Sequence, residues 1–343
     1  MENTKTKSIK KENLSETLLN NALYIILGIM IIGVIIADPS FLSWRNMWQI
    51  LAQASTRGIL ALGVAGMIVL TGTDLSAGRI LGCGAAVTAS ILQSATYASR
   101  FYKGITAWHW YYIPLALFCS ICVSMIFCLL NGFGFAYLHM HPFIISLGTQ
   151  LIAYGSLCLY IDSQENGAQP ISSFDNHFIN LVNGKFFGVV PHLVLWLIIC
   201  SIAMWIIWNK TTLGKNMYAM GGNMDAAAVS GVNVQHSIMW LYFVAGILYG
   251  IAAFLEAGRV QSVTTSTGLN YDLDAISGSV IGGVSFTGGV GTIPGILLGV
   301  ILLQVINYSL YYLGVNAYIQ YIVKGLIIII AVAIDVRKYI QKR

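Results

Sequence analysis

Apolar runs close to twenty residues long recur along the whole chain, at about 18–37, 47–71, 76–97, 112–137, 142–161, 188–208, 237–256, 271–286, 292–313 and 317–335. About 20 apolar residues in a helix reach across a ~30 Å hydrocarbon layer. Only 9% of the 343 residues are charged, against about 25% in a soluble domain, so lipid is the main solvent. The expected fold is an all-α integral membrane protein of about ten transmembrane helices. It has a polar N-terminal tail (1–17), one transmembrane domain (18–335) and a basic C-terminal tail (336–343).

A net charge of +5 invites a nucleic-acid reading, but its distribution argues against one. Lys5, Lys7, Lys10 and Lys11 sit at one end, Arg337, Lys338, Lys342 and Arg343 at the other, and both clusters flank apolar runs as cytoplasmic charges do. An even number of spans brings both tails to one side, together with the connection 209–236 that holds Lys210 and Lys215. The stretch 162–187 is then the longest external loop. Trp44, Trp48, Trp108 and Trp110 fall near span ends, where interfacial aromatics belong. The first run follows a long polar tail without a small-residue cleavage site, so it is expected to be retained as a span. The six cysteines lie in apolar stretches, and Cys119-x-x-Cys122 has no second Cys or His pair beside it, so buried thiols are expected rather than a metal or redox centre.

Charges inside spans carry more information, because an ionisable group at a helix centre costs about 2.5–3.5 kcal/mol on insertion scales. The candidates are Asp74, Arg79, Glu256, Arg259, Asp272, Asp274 and Lys324. In VLTGTDLSAGR (69–79) a Thr-Gly-Thr cluster interrupts the apolar run. Asp74 there has two compatible readings: a cap on the helix that resumes near Leu75, or the wall of a polar translocation path. The segment echoes a second one, since GVAGMIVLTGTDLSAGRILG (63–82) and GSVIGGVSFTGGVGTIPGILLG (278–299) both run apolar, break at Thr/Gly and resume. Two interrupted, pseudo-repeated segments point to a path between repeats; Thr71, Asp74 and Ser76 at the first break and Ser285 and Thr287 at the second are its candidate residues. Glu256 and Arg259, three apart, read as a solvated pair at a span end. Glycines four apart (78/82, 246/250, 278/282, 291/295/299) are a helix-packing signal.

In the connection 209–236, Asn223 is a good N-cap, Asp225 falls in the first turn and Gly231 ends a short helix. Gly214-Lys215 lacks the glycine and Ser/Thr of a phosphate-binding loop, and the glycines of GGVGTIPG are wrongly spaced for a dinucleotide site. DAAAVSG (225–231) resembles the E-A-A-x-x-x-G motif of ABC importer membrane subunits, with Asp225 in place of Glu.

DPSFLS, ALGVAG, TGTDLSAGR, PFIISLGT, WNKTTLGKNMYAMGGN, AAAVSGVNV, LEAGR, LDAI, GGVSFTGGVGT, VINY and GVNAYIQYIVKG extend that resemblance. From Asp38 to Lys338 the chain resembles the ribose/galactose-type family of bacterial ABC sugar-importer permeases, nearest its galactose/methyl-galactoside branch. The resemblance implies a permease homodimer in the lipid of the inner membrane, both termini cytoplasmic, with an ABC ATPase subunit inside and an extracytoplasmic sugar-binding protein outside. No cofactor is expected on this chain, ATP being used by the ATPase, and no nucleic-acid partner or metal. The ATPase-coupling residues it implies are Asn223, Asp225, Ala226, Ala227, Ser230 and Gly231. Met224 departs from the proline that close relatives tend to carry there, which makes the helix start less rigid. A secondary, ion-coupled sugar transporter using Asp74, Glu256 or Asp274 is the alternative; an intramembrane enzyme is weak, for no metal set or nucleophile–base pair stands out in the spans.

Overall fold

Helix dominates because long apolar stretches satisfy their own backbone groups only by helical bonding when lipid is the solvent. The computed structural model describes residues 28, 31–36, 38–165 and 167–340, with the side chains of 331 and 334–340 left out. The N-terminal tail, most of the run 18–37, and Lys342 and Arg343 lie outside the described residues. After a 3-10 turn at Pro39–Leu42 come α1 (Trp44–Val69), α2 (Ala77–Ile91), α3 (Tyr112–Ala136), α4 (Pro142–Asp162), β1 (Ile171–Ser172), α5 (Asn176–Asn183), β2 (Lys185–Phe186) and β3 (Val190–Pro191). There follow α6 (His192–Lys210), α7 (Thr212–Gly222), α8 (Met224–Val229), α9 (Val234–Val260), β4 (Ser262–Val263), α10 (Tyr271–Ile281), α11 (Ile293–Tyr312) and α12 (Ala317–Ile340).

Among the described residues α1, α3, α4, α6, α9 and α11 are long and apolar enough to cross a membrane, and α2 and residues 317–330 of α12 are shorter apolar helices. The runs at 76–97 and 271–286 therefore yield less helix than a full span. Their helices have 15 and 11 residues, about 22 and 16 Å at 1.5 Å per residue, short of a ~30 Å core. Four two-residue strands also qualify the all-helical expectation: β1 pairs with β4 and β2 with β3, both antiparallel.

The chain divides into two units, residues 1–50 with 302–343, and residues 51–301. In the first, Val34, Phe41 and Ile50 form a buried cluster with Val305, Tyr308 and Tyr312 against it. Asp38 starts the 3-10 turn, accepting from the Ser40 amide at 2.9 Å and the Tyr312 hydroxyl at 3.0 Å. The Ser40 bonds, then Tyr312, hold its carboxyl below the usual range.

In the second unit α9 packs most extensively on α3, then on α2. Lipid offers no hydrophobic drive for helices to associate, so close backbone approach supplies the attraction. Gly246 and Gly250 allow it: a Cβ on Gly246 would stand 2.8 Å from the Met125 Cα, and one on Gly250 would overlap the Ile121 backbone. Gly278, Gly282, Gly295 and Gly299 do the same between α10 and α11. Connections gather at two ends of the unit. At one end β1 meets β4, Gln93 bridges Phe174, and the Asn183 amide reaches the Gly258 carbonyl at 2.8 Å. Here the 162–187 stretch folds rather than loops, since Asp175 caps α5, whose Phe178 and Val182 pack on Phe254 and Gly258 of α9. At the other end 69–73, α7 and 282–292 meet, with Pro142 against Gly72 and the Ser146 hydroxyl on the Thr73 carbonyl.

Candidate functional site

Asp74 occupies the interruption between α1 and α2, a stretch of seven residues from Leu70 to Ser76. Its second residue is Thr71, whose φ of +63° is left-handed for a β-branched residue. The Asp74 side chain is wholly buried, and each of its contacts is a donor. Its Oδ1 accepts from the Ser76 amide at 2.9 Å, the Ser76 hydroxyl at 2.5 Å and the Asn131 amide of α3 at 3.4 Å; Oδ2 accepts from the Tyr249 hydroxyl of α9 at 3.0 Å. One carboxylate thereby ties the break to two long helices, and a buried acceptor this well supplied incurs little of the 1–3 kcal/mol cost of an unmet partner. Asn131 also donates to the Ser76 hydroxyl at 2.9 Å, while its Oδ1 is buried without a partner among the described residues. Arg79 takes no part: it donates to the Thr265 carbonyl at 3.1 Å and lies 4.3 Å above the Tyr154 ring.

The second break, 282–292, is a tight loop. Gly283, Gly288 and Gly289 have φ between +70° and +90°, the Ser285 amide bonds the Val290 carbonyl, and the Ser285 and Thr287 hydroxyls pair at 2.9 Å. The two breaks meet. The Gly289 amide donates to the Val69 carbonyl at 2.9 Å, and a Cβ on Gly288 would overlap the Thr71 methyl. Of the five path residues named from the sequence, Thr71 and Thr287 are exposed at this junction while Asp74, Ser76 and Ser285 are buried. Asn131 and Tyr249 were not among them; an asparagine inside the apolar run of α3 was the available signal.

A second polar cluster lies among α1, α9 and α10. Arg259 holds Glu256 by two hydrogen bonds at 2.8 and 2.5 Å, and Glu256 also accepts from Thr56 at 2.8 Å and Tyr271 at 2.6 Å. Arg57 reaches Asp274 at 3.1 Å and stacks 4.5 Å above the Tyr271 ring. The expected solvated end pair is thus a buried one, with the Glu256 side chain 1% and that of Arg259 19% exposed. The difference arises because Thr56 of α1 and Tyr271 of α10 reach the Glu256 carboxylate and take the place of water there. Arg57 is not among the sequence candidates, although an arginine midway along an apolar run is as costly as a carboxylate there.

The short helix after Asn223 is α8, six residues long. The Asn223 side chain accepts from the Ala226 amide at 2.8 Å, and Gly231 follows the helix with φ +90°. Its amide bonds the Ala228 carbonyl and that of Val232 the Ala227 carbonyl, which satisfies two of the orphan C=O groups. Asp225, Ala226 and Ser230 are exposed, Ala227 is buried and Val229 is 91% exposed. A cavity of about 1000 Å³ opens elsewhere, between residues 97–105 and 163–172, with Tyr97, Arg100, Phe101, Tyr102 and Glu165 in its wall; none of the five path residues lines it.

A family model described as "Branched-chain amino acid transport system / permease component" matches residues 46–332. The galactose/methyl galactoside import permease protein of Haemophilus influenzae is 44% identical over 341 residues, 98% of this chain and 99% of the relative. Its Escherichia coli K12 counterpart is 44% identical over 342 residues, with the same coverage of both chains. The ribose import permease protein of Bacillus subtilis is 32% identical over 313 residues, 91% of each.

Proposed function

Since the chain belongs to the permease family whose model matches residues 46–332, we propose that it is the membrane-spanning subunit of a bacterial ABC importer. It moves a monosaccharide, galactose or methyl galactoside, on ATP hydrolysed by a separate subunit. The observation that carries the cargo is the 44% identity over 98% of the chain to two galactose/methyl galactoside permeases, against 32% over 91% to a ribose permease. This chain contributes the pathway and no nucleotide site of its own.

In this reading the run 18–37, α1, α2, α3, α4, α6, α9, α10, α11 and α12 make ten passes, and α2 and α10 complete theirs with irregular chain. Both termini and 209–236 then lie in the cytoplasm, and 162–187 outside. The gathering of connections at two opposite ends of unit 51–301 supports that alternation. The permease works in the inner membrane as a homodimer, with an ABC ATPase against α8 and a sugar-binding protein at the other end. Coupling rests on Asn223, Asp225, Ala226, Ala227, Ser230 and Gly231. The exposed hydroxyls of Thr71 and Thr287 line the cytoplasmic mouth of the path; Asp74, Ser76 and Ser285 hold its walls in place.

Reconstitution tests the function. Proteoliposomes holding the chain, the ATPase that co-purifies with it, and a galactose-binding protein outside should take up galactose only with ATP inside. Uptake by the chain alone under an ion gradient would sink the proposal.

A further inference from the structure

Cytoplasmic helix α8 is separated by the single residue Asn223 from α7, and α7 ends against both helix breaks at once. Gly221 is buried there, and a Cβ on it would overlap the Val69 carbonyl and stand 2.6 Å from the Gly289 amide. Those two atoms are the acceptor and donor of the bond that joins the breaks. On the other side of the contact, Gly288 has φ +84°, and a Cβ there would overlap the Gly221 carbonyl as well as Thr71. The Tyr218 hydroxyl, one turn earlier on α7, donates to the Gly291 carbonyl at 2.8 Å. Three backbones thus meet without intervening side chains, and backbone in direct contact has no rotamers with which to absorb a displacement.

We propose that Gly221 and Tyr218 are positioning residues that carry the movement of α8 into the two breaks, so that ATPase closure reaches the translocation path through this backbone junction. The inference rests on the coupling role proposed for α8. An alanine at Gly221 must push α7 off Val69 and Gly289 while every residue of α8, its caps and its exposed face is kept. Phenylalanine at Tyr218 removes one hydrogen bond at constant shape.

The neighbouring glycine supplies the control. Gly222 is exposed, and a Cβ on it would meet none of the described residues within 4 Å, so Gly222→Ala should transport within twofold of the wild type. The experiment compares Gly221→Ala, Tyr218→Phe and Gly222→Ala in the full importer in proteoliposomes, measuring retained ATPase, ATP hydrolysis and sugar uptake. Gly221→Ala should keep the ATPase bound and hydrolysing while sugar moved per ATP falls at least tenfold; Tyr218→Phe should lower that ratio severalfold. A merely structural defect lowers uptake and hydrolysis together and overturns the proposal. So does a Gly221→Ala importer as well coupled as Gly222→Ala. Should Gly221→Ala fail to assemble, unchanged coupling in Tyr218→Phe overturns it. Failure of the α8 reading itself has another signature, normal uptake and a bound ATPase when α8 carries Asp225→Lys.

Discussion

Asp74 shows how much a buried acceptor costs when it is taken away. With leucine in its place the Tyr249 hydroxyl, the Ser76 amide and hydroxyl and the Asn131 amide all lose an acceptor, at about 1–3 kcal/mol for each left unmet. Asparagine keeps one oxygen of the same shape. Asp74→Leu should therefore abolish most uptake at matched expression, with Asp74→Asn retaining a substantial part; near-normal uptake in both would show that the cluster is idle. The Arg57–Asp274 pair obeys a different rule. Removing one member of a buried pair strands the other charge, at about 3–5 kcal/mol, whereas replacing both with apolar residues of similar volume is often neutral. Asp274→Leu should lower the unfolding midpoint in detergent by several degrees, and Arg57→Met with Asp274→Leu should recover most of the loss. A double variant no more stable than the single one would mean that the pair is not what holds this corner.

At the scale of elements, α8 was legible because its signals are local: an N-cap, an acid in the first turn and a glycine stop within nine residues of one another. The half-length of α2 and α10 was not. Hydropathy is read over a window, and a window passes over the few polar and glycine residues at which these helices stop, such as Gln93 and Ser94 after α2 and Gly282 and Gly283 after α10. What ends α10 is backbone packing, with Gly282 pressed on Gly295 and Gly283 at φ +90°, and packing partners distant in sequence leave no local trace. A helix as short as α8 is marginal alone in water, so its caps and, in the proposed importer, a docked ATPase hold it. Asp225→Lys gives up about 0.3–1 kcal/mol of favourable dipole interaction and adds repulsion. Gly231→Val places a β-branched residue at φ +90°, at about 1–3 kcal/mol of strain. Neither lies in a span, so insertion should be normal; both should release the ATPase on purification and abolish uptake. A retained ATPase with normal uptake would make α8 a mere connector.

For the whole molecule, the recurrence of apolar runs made a multi-pass helical membrane protein legible, since it follows from how water and lipid share residues, while ten passes with both tails on one side are the proposed arrangement. The meeting of the two breaks was only half legible. Their sequence echo hinted at a common path, but their contact runs through glycine backbone, which carries no side-chain signature. Cargo was least legible, because a sugar path needs only a few hydroxyls and no charged anchor, so it rests on family relationship. That makes cargo the property to test on the assembled importer. Periplasmic binding proteins close around their ligands, so the loaded form offers a permease a surface that the empty form does not. A subunit matched to galactose should therefore show ATP hydrolysis raised severalfold by galactose-loaded binding protein. The empty form should act weakly and a ribose-loaded ribose-binding protein not at all, since their surfaces do not complement the outer end. The readout is the hydrolysis rate at saturating binding protein, with sugar uptake measured in parallel. Stimulation by the ribose-loaded protein and none by the galactose-loaded one would overturn the assignment to galactose while leaving the chain a sugar permease.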